Sequence, residues 1–250
     1  MSEAGPTESR VGTSAPPRIA LVGATGLVGR RIMEAAVGRE DLRLFAIARN
    51  EAPLPPGARM EMFVAETDRW AEVLEAQAPD ALICALGTTW RKAGREEDAF
   101  RAVDHDLVLD VARAAKAAGT KRMVAVSSVG ADPQARSFYL RVKGEVEQAL
   151  AKLKIGRLDI LRPGLLRGPR SGDRRALERL GILASPLTDL ALHGRARRYR
   201  SIDARIVARA ALALALRKAD GRFVHEGPAI HRAARELAAI EREIAGKPGG

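Results

Sequence analysis

The 250-residue chain carries 42 Lys and Arg against 31 Asp and Glu, a net charge of +11, with 46% hydrophobic but only 4% aromatic residues. That length suits one α/β domain whose core is large enough to stand alone. The single cysteine excludes an internal disulfide, and no apolar run is long enough to offer a spanning helix.

Residues 1–16 are rich in Ser, Gly, Pro, Thr and Glu, lack an apolar signal core and read as a flexible tail. Residues 17–245 read as one domain. The run Arg-Ile-Ala-Leu-Val at 18–22 predicts a buried parallel strand. It is followed by Gly23-Ala-Thr-Gly26-Leu-Val-Gly29, and from Leu27 to Val37 the apolar residues recur with helical spacing. Glycines between a strand and a helix place free helix N–H groups where a phosphate can meet them. In this reading Gly23 permits the turn, Gly26 admits a pyrophosphate to the backbone, and Gly29 lets helix and strand pack closely. Thr25, Leu27 and Val28 complete the loop.

A second strand spans 41–48. A dinucleotide site that prefers NAD places an Asp or Glu about 20 residues past the glycine turn, to hold the ribose 2′-hydroxyl. Here the strand ends at Ala48-Arg49-Asn50, with no carboxylate. A guanidinium can pair with a 2′-phosphate through two parallel hydrogen bonds, so Arg49 favours NADP(H), with NAD(H) as the other option. Arg30 and Arg31 are either helpers of Arg49 or surface charge.

Strands are expected at 59–65, 81–86, 122–127 and 156–161, with a short one at 221–225. Helices are expected from Asp68, as N-cap, to 77, then at 97–118, 138–154, 174–183, 203–218 and 229–244. This alternation is an α/β doubly wound parallel sheet of Rossmann type, with a small C-terminal extension on the substrate side, mainly 165–245. The loop 87–94 leaves a strand at its C-terminal end, the edge where such sheets bind ligands. Leu86, Gly87 and Thr88 therefore join the cofactor candidates. Cys84 falls in an apolar strand, reads as core, and fits a reducing cytoplasm.

Tyr139 and Lys143 lie one helical turn apart and share a face. An ammonium beside a phenol favours the phenolate, so such a tyrosine can serve as general acid in carbonyl reduction or base in the reverse sense. The lysine can also hold the nicotinamide ribose. Ser127 and Ser128 end the preceding strand, and a hydroxyl there can orient a carbonyl. Pro163 and Gly164 end the next strand, beside the nicotinamide position. The four histidines have no metal spacing, and no metal site is expected. Asp104 with His105 reads as helix surface. The basic clusters Arg167/Arg170/Arg174/Arg175 and Arg195/Arg197/Arg198/Arg200 lack interleaved aromatics, which argues against a nucleic-acid role.

These motifs resemble, in order, those of the short-chain dehydrogenase/reductase superfamily: Gly23-x-x-Gly26-x-x-Gly29, Ser127-Ser128, Tyr139-x-x-x-Lys143 and Arg162-Pro163-Gly164. More narrowly, the chain is similar to the atypical branch of Tat-interacting-protein-like oxidoreductases. The motifs behind this are Leu86-Gly-Thr-Thr89 with Lys92-Ala-Gly94, Val103-Asp104, Ser127-Ser-Val-Gly-Ala-Asp132, Tyr139-Leu-Arg-Val-Lys-Gly-Glu-Val-Glu147 and Tyr199-Arg-Ser-Ile202. The resemblance implies a Rossmann fold binding NADP(H), and Ser128, Tyr139 and Lys143 as the catalytic set, with Ser127 as runner-up for the serine. Many superfamily members carry an asparagine where this chain has Asp104. The implied activity is hydride transfer to or from a small carbonyl or alcohol substrate. An NADP(H)-binding regulator and a nucleotide-sugar epimerase or dehydratase are the alternatives. A membrane partner is not expected, and a homo-oligomer or a regulatory protein partner stays open.

Overall fold

The computed structural model describes residues 15–168 and 199–245, the side chains of 241–245 excepted. The expected helix at 174–183, the middle of the substrate-side segment, most of the basic clusters, the tail up to residue 14 and the end after 245 lie outside the described residues.

Seven parallel strands form the main sheet: β1 (Arg18–Val22), β2 (Arg43–Ala48), β3 (Glu61–Val64), β4 (Ala81–Cys84), β5 (Arg122–Val126), β6 (Arg157–Arg162) and a last strand, β9 (Gly221–Glu226). Two short strands before it, β7 (Leu166–Arg167) and β8 (Ile202–Asp203), pair separately. The main sheet runs β3-β2-β1-β4-β5-β6-β9. The order reverses between β1 and β4, which opens a crevice at the carboxyl ends of those strands.

The helices are α1 (Leu27–Ala36), α2 (Trp70–Gln77), α3 (Glu97–Arg101), α4 (Leu107–Ala117), α5 (Phe138–Lys152), α6 (Ala204–Leu216) and α7 (Pro228–Ala245). Alternate strand residues feed the two faces. Ile19, Leu21, Leu44, Ala46, Ile83, Val124 and Leu161 pack beneath α1, α6 and α7. Ala20, Val22, Phe45, Ile47, Leu82, Cys84, Met123 and Ile160 pack beneath α2, α4 and α5. Over the central strands both faces are covered, so β1, β2 and β4 are apolar almost throughout, as a buried parallel sheet requires. In α6 nine of the thirteen residues are buried, and six of those nine are alanines, which let the helix sit close between α1, α7 and the sheet.

Two expectations are corrected. Asp68 does not cap α2: a 3-10 turn, Thr67–Arg69, precedes a helix whose N-cap is Arg69, with no side-chain capping bond. The helix expected at 97–118 is interrupted by a π turn, Ala102–Asp106, between α3 and α4. An inserted residue of this kind re-aims the side chains of its turn and is often found at functional sites.

Candidate functional site

Gly23 stands at φ +85, where side chains are strained, and a Cβ there would lie 2.4 Å from the Ala85 carbonyl carbon after β4. A Cβ on Gly29 would lie 2.1 Å from the Gly23 carbonyl oxygen, so the third glycine packs the helix on the turn itself. Gly26 is the N-cap of α1 and offers no side-chain cap, and the first turn holds no acid. The first intrahelical bond runs from the Arg30 N–H to the Gly26 carbonyl at 3.1 Å. The amides of Leu27, Val28 and Gly29 precede it, in the positive field of the helix end. Thr25 and Gly26 are exposed beside them. A close backbone, free amides and no competing carboxylate fit a dinucleotide pyrophosphate.

Arg49 is exposed at the end of β2, and among the described residues no carboxylate pairs with it. The other two arginines are engaged. Arg30 donates to the Thr25 carbonyl at 2.8 and 3.0 Å, and Arg31 pairs with Glu34 at 2.5 Å.

Beyond β4, Leu86, Gly87 and Thr88 pass over a buried ion pair that the surface reading of Asp104 did not anticipate. Asp104, in the π turn, is 1% exposed; its Oδ1 lies 2.7 Å from Lys143 Nζ, and its Oδ2 accepts the Thr88 N–H at 2.6 Å. A Cβ on Gly87 would come within 3.5 Å of that carboxylate and 3.9 Å of the ammonium. Burial pulls the Lys143 pKa down, but Asp104 and, to a smaller extent, Tyr139 more than reverse this, and the net shift is upward. His105 takes no part in this pair and lies 2.7 Å from Asp106 instead. The missed signal was periodic: Phe100, Asp104 and Val108 are four apart, and both apolar neighbours are buried.

The two serines separate. Ser127 Oγ donates to Glu147 Oε1 at 2.6 Å, and Glu147, 2% exposed, is also gripped by the Arg162 guanidinium at 2.5 and 2.9 Å. Arg162 reaches on to Glu226 at 3.2 Å, and the Glu147 bond is the first cause of its raised pKa. Ser127 thus belongs to a structural network. Among the described residues Ser128 makes a single 3.4 Å contact, with the adjoining Val129 carbonyl, which leaves its hydroxyl available there. Tyr139, at the head of α5, is 40% exposed and meets Phe100 edge-on at 5.8 Å. Pro163 is buried after β6, its carbonyl accepting the Val129 N–H at 3.0 Å. Cys84, on the core side of this site, has its pKa raised by burial to about 11, as suits an inert core thiol.

The sheet therefore brings the glycine turn, the 86–88 loop, Ser128, Tyr139, Lys143 and Pro163 to one edge. The family model described as NAD(P)H-binding matches residues 23–182, more than half of the chain. This chain belongs to the NAD(P)H-binding family. "Protein fmp52, mitochondrial" of Aspergillus fumigatus is 36% identical over 210 residues, 81% of this chain and 88% of that protein. The protein of the same name from Emericella nidulans is 39% identical over 165 residues, 63% and 70% of the two chains. In structure, the Bordetella bronchiseptica enzyme WbmG in complex with NAD superposes with a TM-score of 0.62 at 15% identity, covering 96% of this chain and 84% of that one. A UDP-glucose 4-epimerase from Thermotoga maritima, with UDP-glucose, gives 0.63 at 14% identity, covering 89% and 82%. At such identities the likeness is one of fold alone.

The relatives overturn one expectation. The cytoplasmic reading rested on a lone thiol, whereas these relatives are named as mitochondrial proteins. A buried, reduced cysteine reports redox conditions and burial. It carries no address, so it could not decide among reducing compartments.

Proposed function

We propose that this protein is an NADP(H)-dependent oxidoreductase of the Tat-interacting-protein-like branch, acting on a small carbonyl or alcohol substrate. One observation carries the reading: an exposed tyrosine stands one helical turn from a buried, charge-paired lysine, on the sheet edge that holds the glycine turn. When bound, the reduced cofactor supplies a hydride to a carbonyl carbon. Tyr139 passes its phenolic proton to the carbonyl oxygen, giving the alcohol. Ser128 donates a hydrogen bond that orients that oxygen. Lys143, charge-paired with Asp104 at 2.7 Å, carries three N–H groups from which to offer a donor to the ribose. The α1 amides receive the pyrophosphate, and Arg49 receives the 2′-phosphate.

The test is a titration with NADPH and NADH followed by nicotinamide fluorescence, then a carbonyl screen. Preferential NADPH binding should weaken roughly tenfold on Arg49→Ala, the loss of a charge-assisted pair of about 1.5 kcal/mol, with NADH binding unchanged. Binding of neither cofactor would end the proposal. A second reading, an NADP(H)-dependent regulator with little turnover, draws on the fact that Lys143 is already committed to Asp104 at 2.7 Å. Tyr139→Phe separates the two: turnover and phenotype are lost in an enzyme, while a regulator keeps its phenotype.

A further inference from the structure

The chain contains five Phe, two Trp and two Tyr, and four of those rings meet beside the site. Phe100 is the buried centre, 1% exposed. Trp90, on the loop after β4, lies 6.3 Å from its centroid and 5.5 Å from that of Phe138, and Tyr139 approaches Phe100 at 5.8 Å. Phe100 and Phe138, themselves in contact at 5.7 Å, join α3 to α5. Trp90 and Tyr139 remain 42% and 40% exposed.

A third exposed ring stands on another segment, beside Leu140. Tyr199, 43% exposed, lies 3.8 Å from where a Cβ of Gly130 would stand, and Leu140, the residue after Tyr139, lies against the same point at 3.4 Å. The segment carrying Tyr199 is clamped to the turn after β6: a Cβ on Gly164 would lie 2.2 Å from the Arg200 carbonyl oxygen and 3.0 Å from that of Tyr199. Leu165, next in the chain, is 53% exposed. Among the described residues, three exposed apolar side chains besides Tyr139 therefore stand on the segments next to its helix: Trp90 against Phe138, Tyr199 at the Gly130 turn beside Leu140, and Leu165 after the Gly164 turn. A concentration of wet apolar surface marks a binding surface far more often than a fold requirement.

We infer that Trp90 and Tyr199 are specificity-determining residues, which stand on the segments next to the Tyr139 helix and select a carbonyl compound with a flat, apolar, unsaturated body. This rests on the oxidoreductase reading above and deepens it. Ring surfaces reward a flat unsaturated partner through offset or edge-on stacking, and offer a hydroxyl-rich sugar little in exchange for its water. Exposed Lys92 and Arg95 on the Trp90 loop add positive charge at the rim without adding ring surface.

The test is calorimetric titration of the NADP+-loaded protein with acetylnaphthalene, with its fully saturated counterpart, and with UDP-glucose. The flat ketone should bind about three- to tenfold more tightly than the saturated one. Trp90→Ala and Tyr199→Ala should each remove most of that preference, and Trp90→Phe should retain it. Should Trp90→Ala fail to fold, Tyr199→Ala, on a different segment, carries the test. Equal affinity for the two ketones, an unchanged preference in the alanine variants, or tighter binding of UDP-glucose overturns the inference. The expected binding pattern without NADPH oxidation by any carbonyl compound supports the aromatic site while counting against the oxidoreductase reading.

Discussion

Asp104 illustrates how much one residue's surroundings decide. Its carboxylate, 1% exposed, faces a lysine that is 6% exposed. The cost of burying each charge is offset by the other and by the Thr88 amide. Asp104→Asn removes the counter-charge from a cation that burial already disfavours, and should lower stability at pH 7 by about 3 kcal/mol in urea unfolding. The pH dependence has a definite sign. Because the Lys143 pKa is raised in the folded state, the pair's contribution is fully present below the unfolded lysine value of about 10.4 and is lost as pH rises through the folded value. The gap between native protein and variant should thus be wide at neutral pH and narrow in strong alkali. The two serines give a second test. Ser127→Ala withdraws one donor from the buried Glu147 carboxylate and should cost about 1–3 kcal/mol. Ser128→Ala should leave thermal stability within about 0.5 kcal/mol of native and lower turnover instead.

At the scale of elements, the glycine turn is a packing device before it is a binding device. The 2.1 Å approach at Gly29 involves backbone on one side and helix on the other, and neither can swing away as a flexible side chain can. Gly29→Ala should therefore push α1 off β1, cost roughly 1–3 kcal/mol, and weaken cofactor binding in the same fluorescence titration, since the α1 amides move with the helix. The strand–turn–helix unit was legible because its signals are local: an apolar run, three glycines, then an amphipathic stretch. Asp104 and Glu147 were legible in principle, since each lies on a buried helical stripe, Phe100/Asp104/Val108 and Lys143/Val146/Glu147/Leu150. Charge on such a stripe signals a buried pair, but its partner cannot be named from one helix. The π turn and the β7–β8 pair left no local signal.

At the scale of the molecule, the sheet depends on its last strand and helix. β9 joins β6 along its full length, from Arg157 opposite Gly221 to Arg162 opposite Glu226. Asp159 is fixed between Arg157, at 2.6 Å, and His225 of β9, at 2.7 Å, while Arg162 reaches Glu226. α7 covers α6 with Ile230, Ala233 and Leu237, all buried. A chain ended after Leu216 would expose the apolar face of α6 and leave Asp159, 0% exposed, without its histidine. Burial of each large apolar side chain contributes about 1.5–3 kcal/mol, and a domain has only about 5–15 kcal/mol in all. The truncated protein should lose cooperative thermal unfolding and its native near-ultraviolet circular dichroism. An intact, cooperative transition would show that the first six strands stand alone.

The sequence by itself determined the alternation of strands and helices, the glycine turn and the Tyr139–Lys143 face, because hydrophobic period, backbone permissiveness and helical spacing are all properties of short segments. Which serine is engaged, what Lys143 faces, and that Trp90 packs on Phe138 while Tyr199 sits at the Gly130 turn beside Leu140 came from the tertiary structure alone. Each of those facts depends on side chains from elements tens of residues apart meeting at one sheet edge, and their partners were chosen by the order of the strands.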